Sequence, residues 1–331
     1  MARSFDFSTF SQPLRATQTE IRTFVADYLT GGPTFQRVAT LESAFRQRFA
    51  QINARSPAID GKSTNPFVLA SYAQRFGSDD LEKIDAVIAA AKVFSSFETA
   101  AGRVVEDVIP PFYGWSQIAS TGHSVLSEID SAKPDPAGNV VHLAALKSGP
   151  MCINDSMVSQ IASAIALHWK AWADHWGVKS VRYIVGMNYS TAKNSNKKDW
   201  HIVRLAEEKA VLAGAHLLSS CTSNVAGRLR ASSAFEASEG EYRLRVETLQ
   251  GRAFWEAVGG SPSAFLEISL ALANCLGAND DGFEGNPQFT TLGMPGIVSF
   301  ANSLVVANFP IGKAQWFVLM IRHFVDELSL I

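Results

Sequence analysis

Two short apolar runs joined by a turn decide the predicted fold. They are Val125-Leu-Ser-Glu-Ile-Asp130 and Val140-Val-His-Leu-Ala-Ala-Leu-Lys147. Both contain the β-branched and aliphatic residues that favour strands, and Pro134-Asp-Pro-Ala-Gly-Asn139 between them contains residues that favour turns. We therefore predict a β-hairpin with one strand over each run.

The predicted hairpin brings charged side chains together. Because side chains alternate between the two faces of a strand, Glu128 and Asp130 are expected on one face of the first strand. Lys147 ends the second strand, which is otherwise largely apolar, and burying a lysine there is costly unless it is paired with a carboxylate or a phosphate. Two interpretations stay open: a structural ion pair with Asp130, or a site that performs chemistry.

Helical patterns flank the hairpin on both sides. We predict helices over residues 35–52, after Ser78, from Ser95 or Ser96 to the double proline Pro110-Pro111, and from Asn154 to about Trp172. We predict a third strand over Val181–Tyr189, with His201–Leu205 as a candidate partner, and mostly helix beyond Gly251, including an amphipathic segment over Lys313–Leu328.

Composition excludes several classes of protein. The 331 residues include 29 basic and 31 acidic side chains, for a formal net charge of −2, and 47% are hydrophobic. The chain is therefore not of the disordered, collagen-like or coiled-coil class. Its three cysteines lie far apart, which argues against a disulfide framework or a zinc knuckle. No apolar run approaches the ~20 residues of a membrane helix and no signal-peptide pattern follows Met1, so we expect a cytoplasmic protein with no membrane segment.

Common motifs of nucleotide and hydrolase sites are also missing. The sequence contains neither G-x-G-x-x-G nor G-x-x-x-x-G-K-[ST], so we expect no nucleotide cofactor. Gly259-Gly-Ser-Pro-Ser263 lacks the final glycine of a G-x-S-x-G nucleophile elbow, which argues against a serine hydrolase.

The hairpin and its surroundings resemble the PD-(D/E)XK nuclease superfamily, in which an acid on one strand faces a (D/E)-x-K tripeptide on the next. More narrowly, the chain is similar to type II restriction endonucleases that cut interrupted GGNCC-type palindromes. The segments that carry this resemblance, in chain order, are Asn65-Pro-Phe67, Glu106–Gly114, Glu128–Asp130, Leu146–Ile161, Ile184–Tyr189 and Gly251–Trp255.

The resemblance implies an α/β fold with a mixed central sheet flanked by helices. It implies an N-terminal helical region over residues 1–95 that serves dimerisation and embraces DNA, a nuclease core over 96–260, and a C-terminal helical region over 261–331 packed on the core. It also implies Mg²⁺ as cofactor, palindromic double-stranded DNA as substrate, a homodimer, and products with 5′-phosphate and 3′-hydroxyl ends.

Carried onto this sequence, the resemblance makes Asp130 and Lys147 catalytic, and it makes Asp130 and the backbone carbonyl of Leu146 metal ligands. One position departs from the pattern, since Ala145 stands where the second acid is usual. Either Glu128 or Glu106 then replaces that acid as a catalytic metal ligand, or the protein is inactive.

A basic segment is the candidate DNA-binding region. Residues 177–206 contain six basic side chains and one acidic side chain, a local charge of +5 on a chain whose total is −2. The candidate contacts are the polar loop residues Lys193, Asn194, Asn196, Lys197 and Lys198, with Arg228 and Arg230 as readers of guanine and Asn154 at a helix N-terminus that could receive a phosphate. The alternative for the loop and for the two arginines is an ordinary solvated surface.

The sequence therefore predicts a type II site-specific deoxyribonuclease. Two alternatives remain: a non-catalytic DNA-binding protein that keeps the nuclease fold, and a non-specific phosphodiesterase. The recognition sequence, the cut stagger, the number of metal ions and the choice between dimer and tetramer are left open by the residues.

Overall fold

A computed structural model describes residues 13–52, 74, 81–119, 125–225, 229–276, 295–304 and 309–329. The strands are β1 (Arg15–Thr17), β2 (Ser116–Gln117), β3 (Ser131–Asp135), β4 (Val140–Lys147), β5 (Ser180–Met187), β6 (His216–Val225), β7 (Leu229–Glu239), β8 (Tyr242–Gln250) and β9 (Glu327–Ser329). The helices are α1 (Gln18–Leu29), α2 (Pro33–Ala50), α3 (Leu81–Phe112), α4 (Asp155–His175), α5 (Lys198–Leu212), α6 (Gly251–Gly259), α7 (Ala264–Leu276), α8 (Pro295–Ser303) and α9 (Ile311–Arg322). The Asn65-Pro-Phe67 motif and Arg228 lie outside the described residues.

A seven-stranded mixed sheet forms the centre of the molecule, in the order β2-β3-β4-β5-β8-β7-β6. The three central strands, β4, β5 and β8, run parallel to one another, and α4 connects the first two. The outer strands pair antiparallel. The expected mixed α/β architecture, with a sheet flanked by helices, is therefore present.

The predicted hairpin forms, but its first strand begins later than expected. β3 pairs antiparallel with β4, whose bounds match the prediction. Residues 125–128 form a turn, so the prediction of a strand over Val125–Asp130 is wrong. The hydroxyl of the buried Tyr183 donates a hydrogen bond to the carbonyl oxygen of Glu128 in this turn. The backbone at Glu128 therefore bonds to a side chain rather than to a neighbouring strand.

Two more differences concern the chain after β5. Residues 201–205 belong to α5 and not to a strand. Strands β6, β7 and β8 were not predicted, although together they form much of the sheet. In β8 the described burial alternates through Leu244, Arg245 and Val246, so the period-2 signal is present there.

Apolar cores lie on both faces of the sheet. One contains Val141, Leu143 and Ala145 of β4, packed against α4 and α5. The other contains Ala144 and Leu146, packed with residues of α1, α2, α3, α6, α7, α8 and α9. Successive residues of β4 thus enter different cores, which explains why this strand reads as a continuous apolar run.

The second core also joins the three predicted regions of the chain. α3 runs without a break from Leu81 to Phe112, so a helix start at Ser95 or Ser96 is wrong, and the 95/96 boundary falls inside it. The helix ends just after Pro110-Pro111, where an end was predicted. No helix in the described ranges is long and apolar enough to cross a membrane. The dimerisation role of residues 1–95 stays a prediction.

Candidate active site

The carboxyl ends of the parallel strands meet at one edge of the sheet. Lys147 of β4 aligns with Met187 of β5, and Met187 aligns with Gln250 of β8. In open α/β sheets, ligands bind outside this edge, where loops leave the strands. The residues predicted to carry chemistry lie here.

Asp130 and Lys147 meet at this edge, as the hairpin predicted. The Nζ of Lys147 lies 3.7 Å from Oδ2 of Asp130, and their side chains are 17% and 28% exposed. The same Oδ2 accepts a hydrogen bond of 2.6 Å from the Leu146 N–H. The Asp130 N–H donates to the Ala144 carbonyl, which fixes the aspartate directly ahead of β3. Asp130 is therefore held by β4 although it is not itself within a strand.

The Leu146 carbonyl faces the same side as Asp130. In a strand, the N–H and C=O groups of one residue point to the same neighbour. The Leu146 N–H points to Asp130, whereas the next carbonyl, that of Lys147, accepts from the Asn188 N–H on the β5 side. The Leu146 carbonyl oxygen is thus available on the side of the aspartate, as the metal-ligand prediction requires.

Glu106 approaches the same edge from α3. Gly102, one turn earlier on the same helix, lies against Ser148, and a Cβ at Gly102 would meet the Ser148 Oγ at 3.2 Å. This close approach brings the helix to the end of β4. Burial, together with repulsion from Asp130, raises the pKa of Glu106 from 4.5 to about 7, although Lys147 opposes the rise. We call Glu106, Asp130 and Lys147 the acid–lysine cluster.

Glu128 is placed differently from its prediction. Because residues 125–128 form a turn, the prediction that Glu128 and Asp130 share a strand face is wrong. Both carboxylates nevertheless lie within electrostatic range of the buried Tyr183. Burial has the largest effect in raising the pKa of Tyr183, and Asp130 and Glu128 each raise it further. Glu128 is near the cluster, and its main-chain carbonyl anchors the turn.

Packing explains why an alanine, and not an acid, occupies position 145. Ala145 is 1% exposed and belongs to the core formed with α4 and α5. A carboxylate there would be surrounded by apolar side chains. Glu106 belongs to the helix on the other side of the sheet, where its neighbours Val104, Val105 and Val108 enter the second core. The acid that approaches Asp130 thus comes from the opposite face.

The predicted DNA-binding loop is largely engaged in contacts within the chain. Oδ1 of Asn194 accepts hydrogen bonds from Ser190 and Thr191. The Asn196 amide donates to the Ile153 carbonyl, and its backbone N–H donates to that of Pro150. These amides are therefore poor candidates for base reading.

The basic side chains of this loop differ in exposure. Lys198 pairs with Asp155 at 3.0 Å. Lys197 donates to the Ser195 carbonyl at 2.6 Å, and burial lowers its pKa. Lys193 is exposed. Of the three lysines, Lys193 therefore keeps the best geometry for a phosphate contact.

The other predicted contacts have mixed placements. Asn154 is the N-cap of α4, and its Oδ1 accepts from the Met157 N–H and the Ser156 hydroxyl. Its side chain already serves the helix end. Arg230 lies in β7, opposite Asn224 of β6.

A buried polar group at the same edge was not among the predicted site residues. Oδ2 of Asp199 accepts hydrogen bonds of 2.7 Å from both the Thr248 hydroxyl and the Gln250 amide. Asp199 is fully buried, and burial raises its pKa. We call these three residues the Asp199 cluster. The signal that could have found it is the single acid within a basic segment, at the first turn of a helix.

Within the described ranges, no group of three or more histidine, cysteine, aspartate or glutamate side chains is gathered closely enough to hold a metal ion. An ion at the acid–lysine cluster would have to rely on two carboxylates, backbone oxygen and water. Magnesium is commonly bound with so few protein ligands. In comparisons with known proteins, the chain matches no protein-family model and no curated protein.

Proposed function

We propose that this protein is a Mg²⁺-dependent type II site-specific deoxyribonuclease that hydrolyses palindromic double-stranded DNA as a homodimer in the cytoplasm. The observation that carries the proposal is the acid–lysine cluster at the end of β4. A lysine 3.7 Å from one carboxylate, beside a second carboxyl group whose pKa is about 7, is the donor set that phosphodiester hydrolysis needs.

The residues present fit a divalent cation. Burial and repulsion from Asp130 both disfavour the ionised form of Glu106, whereas attraction to Lys147 favours it. The pKa of Glu106 is raised, so the attraction is the weaker effect. A divalent ion would relieve this repulsion. Asp130, Glu106 and the Leu146 carbonyl would hold it, and Mg²⁺ would supply charge neutralisation at the scissile phosphate. Glu106 has stronger support than Glu128, because its own pKa responds to Asp130 and Lys147.

The protein groups have distinct tasks in this proposal. Lys147 orients the attacking water and offsets negative charge on the phosphate. The Leu146 N–H donates a hydrogen bond to Oδ2 of Asp130, so the backbone fixes the orientation of the carboxylate and leaves its other oxygen, Oδ1, for the cation. Glu106 must lose its proton to act as a ligand, so Mg²⁺ binding to the metal-free protein, in which the pKa of Glu106 is about 7, should strengthen as the pH rises toward that value.

The test is digestion of plasmid DNA of known sequence with and without Mg²⁺. Discrete fragments that need Mg²⁺ and carry 5′-phosphate ends support the proposal, and a smear supports a non-specific phosphodiesterase. Binding without cutting supports the non-catalytic alternative, which the apolar position of Ala145 favours. Asp130→Asn is the decisive variant. Asp135→Asn, at the exposed far end of β3, which begins directly after Asp130, is its matched control.

A further inference from the structure

Arg103 of α3 is an exposed cation beside the acid–lysine cluster. It follows Gly102, the residue at which the helix approaches Ser148 at the end of β4. Residues three apart are neighbours on a helix surface, so Arg103 lies next to Glu106. Burial has the largest effect on the pKa of Glu106 and raises it, whereas the positive charge of Arg103 has a smaller, opposite effect. The Arg103 guanidinium is therefore within electrostatic range of the cluster.

The carboxylate that could pair with Arg103 on its own helix is already engaged. Asp107 lies four residues after Arg103, at the spacing of helical ion pairs. Its Oδ2 accepts a hydrogen bond of 2.7 Å from Arg48 of α2, and its Oδ1 accepts one of 2.9 Å from the Gln117 amide. Within the described part of the chain, the Arg103 guanidinium forms no ion pair and no hydrogen bond. Arg103 therefore keeps its N–H donors for a ligand.

The proposed reaction also directs Glu106 away from Arg103. A cation bound at the cluster would take the Glu106 carboxylate as a ligand, so the anion left for Arg103 at this edge is the substrate itself. A planar guanidinium binds the oxygens of a phosphate through parallel N–H···O bonds. Because Arg103 is exposed, the contact does not require an unpaired charge to be buried.

We propose that Arg103 binds a backbone phosphate of duplex DNA next to the scissile phosphate, and so holds the scissile phosphate at the acid–lysine cluster. Lys147 is only 17% exposed and pairs with Asp130, whereas Arg103 lies on the outer surface of α3. The two cations therefore contact different phosphates. A backbone contact is the same for every DNA sequence. This inference rests on the proposed nuclease function, since it assumes that DNA lies along this edge.

The first measurement is equilibrium binding of the full-length protein to linear plasmid DNA in metal-free buffer at several salt concentrations. Arg103→Gln removes the charge, and Arg103→Lys keeps it. Arg243→Gln is the matched control, because Arg243 is also exposed and its guanidinium forms no ion pair with the described residues. Arg243 aligns with Ser180 at the start of β5, at the edge of the sheet opposite to the cluster.

We expect Arg103→Gln to lower the log–log salt slope of DNA binding by about 0.9, which at about 0.1 M salt corresponds to a loss of about eightfold in affinity. Arg103→Lys should keep the slope, because an ammonium group retains the charge. Arg243→Gln should match the parent protein in slope and affinity. A slope in Arg103→Gln equal to that of the parent overturns the contact.

The second measurement is cleavage of the same DNA with Mg²⁺. A neighbouring phosphate is bound equally well before and during the chemical step, so its loss affects binding and not the rate of that step. We expect Arg103→Gln to raise KM by about the same factor as it weakens binding, with kcat within about twofold of the parent value. A large fall in kcat with an unchanged KM overturns the assignment of Arg103 to a neighbouring phosphate.

The two measurements separate this inference from the nuclease proposal. Cleavage by the parent, with an unchanged salt slope in Arg103→Gln, overturns the contact and leaves the nuclease proposal standing. DNA binding by the parent without cleavage, with a reduced slope in Arg103→Gln, supports the contact and overturns the nuclease proposal. A parent protein that neither binds nor cleaves DNA overturns both.

Discussion

The acid–lysine cluster and the Asp199 cluster lie at the same edge of the sheet and differ in how far their polar groups are satisfied. Asp199 is fully buried; its Oδ2 receives two hydrogen bonds of 2.7 Å, while its Oδ1 is buried and receives none from the described residues. In the acid–lysine cluster, the single ion pair is long and Glu106 is pushed toward its neutral form. In the Asp199 cluster, neutral donors hold a single buried carboxyl group, whereas the acid–lysine cluster retains repulsion between two carboxyl groups that a bound cation would relieve.

The largest expected effect is the loss of cleavage in Asp130→Asn. The substitution keeps the shape of the side chain but removes the charge that faces Lys147. We expect the Mg²⁺-dependent cleavage rate to fall by at least about a thousandfold, while the thermal midpoint stays close to that of the parent. A rate within a few-fold of the parent, with Asp135→Asn equally active, would remove Asp130 from the site.

Glu106→Gln should reduce cleavage by about a hundredfold. Its effect on stability has a defined sign. The pKa of Glu106 is about 7 in the folded protein and 4.5 ordinarily. Between pH 4.5 and about 7 the folded state therefore binds more protons at this group than the unfolded state does. The contribution of Glu106 to the free energy of unfolding then falls as the pH rises from 4.5 to about 7. Urea unfolding without metal should show this pH dependence in the parent and lose that part of it in Glu106→Gln.

Glu128→Gln is the matched control for Glu106→Gln, since the two glutamates are the alternative replacements for the acid missing at Ala145. We expect it to cleave at close to the parent rate, because the structural contact of Glu128 is made by its backbone carbonyl. A large loss in Glu128→Gln with a normal rate in Glu106→Gln would reverse the assignment.

Asp199→Ala should act on stability and not on chemistry. It removes two hydrogen bonds to a buried carboxylate and leaves the Gln250 amide without that acceptor. We expect the free energy of unfolding to fall by about 2 to 3 kcal/mol, measured in urea. Cleavage at a temperature where the variant is folded should be nearly normal, and a selective loss of activity would erase the distinction between the clusters.

The smallest effect is expected for Lys193 and Lys198, two of the predicted DNA contacts. Lys193→Ala should lower the log–log salt slope of DNA binding by about 0.9, the value for one phosphate contact. Lys198→Ala should leave the slope almost unchanged, because that ammonium group is paired with Asp155. DNA binding measured at several salt concentrations compares the two variants. Equal slopes for both would show that the ion pair with Asp155 does not decide which lysine contacts a phosphate.

The sequence allowed part of the fold to be predicted, where a local pattern suffices. β4 and α4 were predicted because a buried strand and a capped amphipathic helix have strong signals of their own. The approach of Lys147 to Asp130 followed from the hairpin, although the strand assigned to Val125–Asp130 was wrong. There the alternating pattern belongs to a turn anchored by Tyr183, which no local rule includes.

Other features depend on tertiary contacts. Glu106 reaches the site because α3 approaches β4 at Gly102, and a sequence pattern does not report that approach. The amides of Asn194 and Asn196 looked free for base reading, but they bond to their own loop and to the turn after β4. β6 and β7 were missed because their serine-rich sequences lack the apolar alternation of a half-buried strand.

The pairing of β1 with β9 has a consequence for biosynthesis. The Leu14 N–H bonds to Asp326, 312 residues later in the chain, and α2 packs against α7 in the same core. During translation, the apolar faces of α1 and α2 therefore leave the ribosome long before the segments that cover them exist. The nascent chain must carry that surface uncovered until the last helices emerge, so a chaperone that shields early helices should raise its yield.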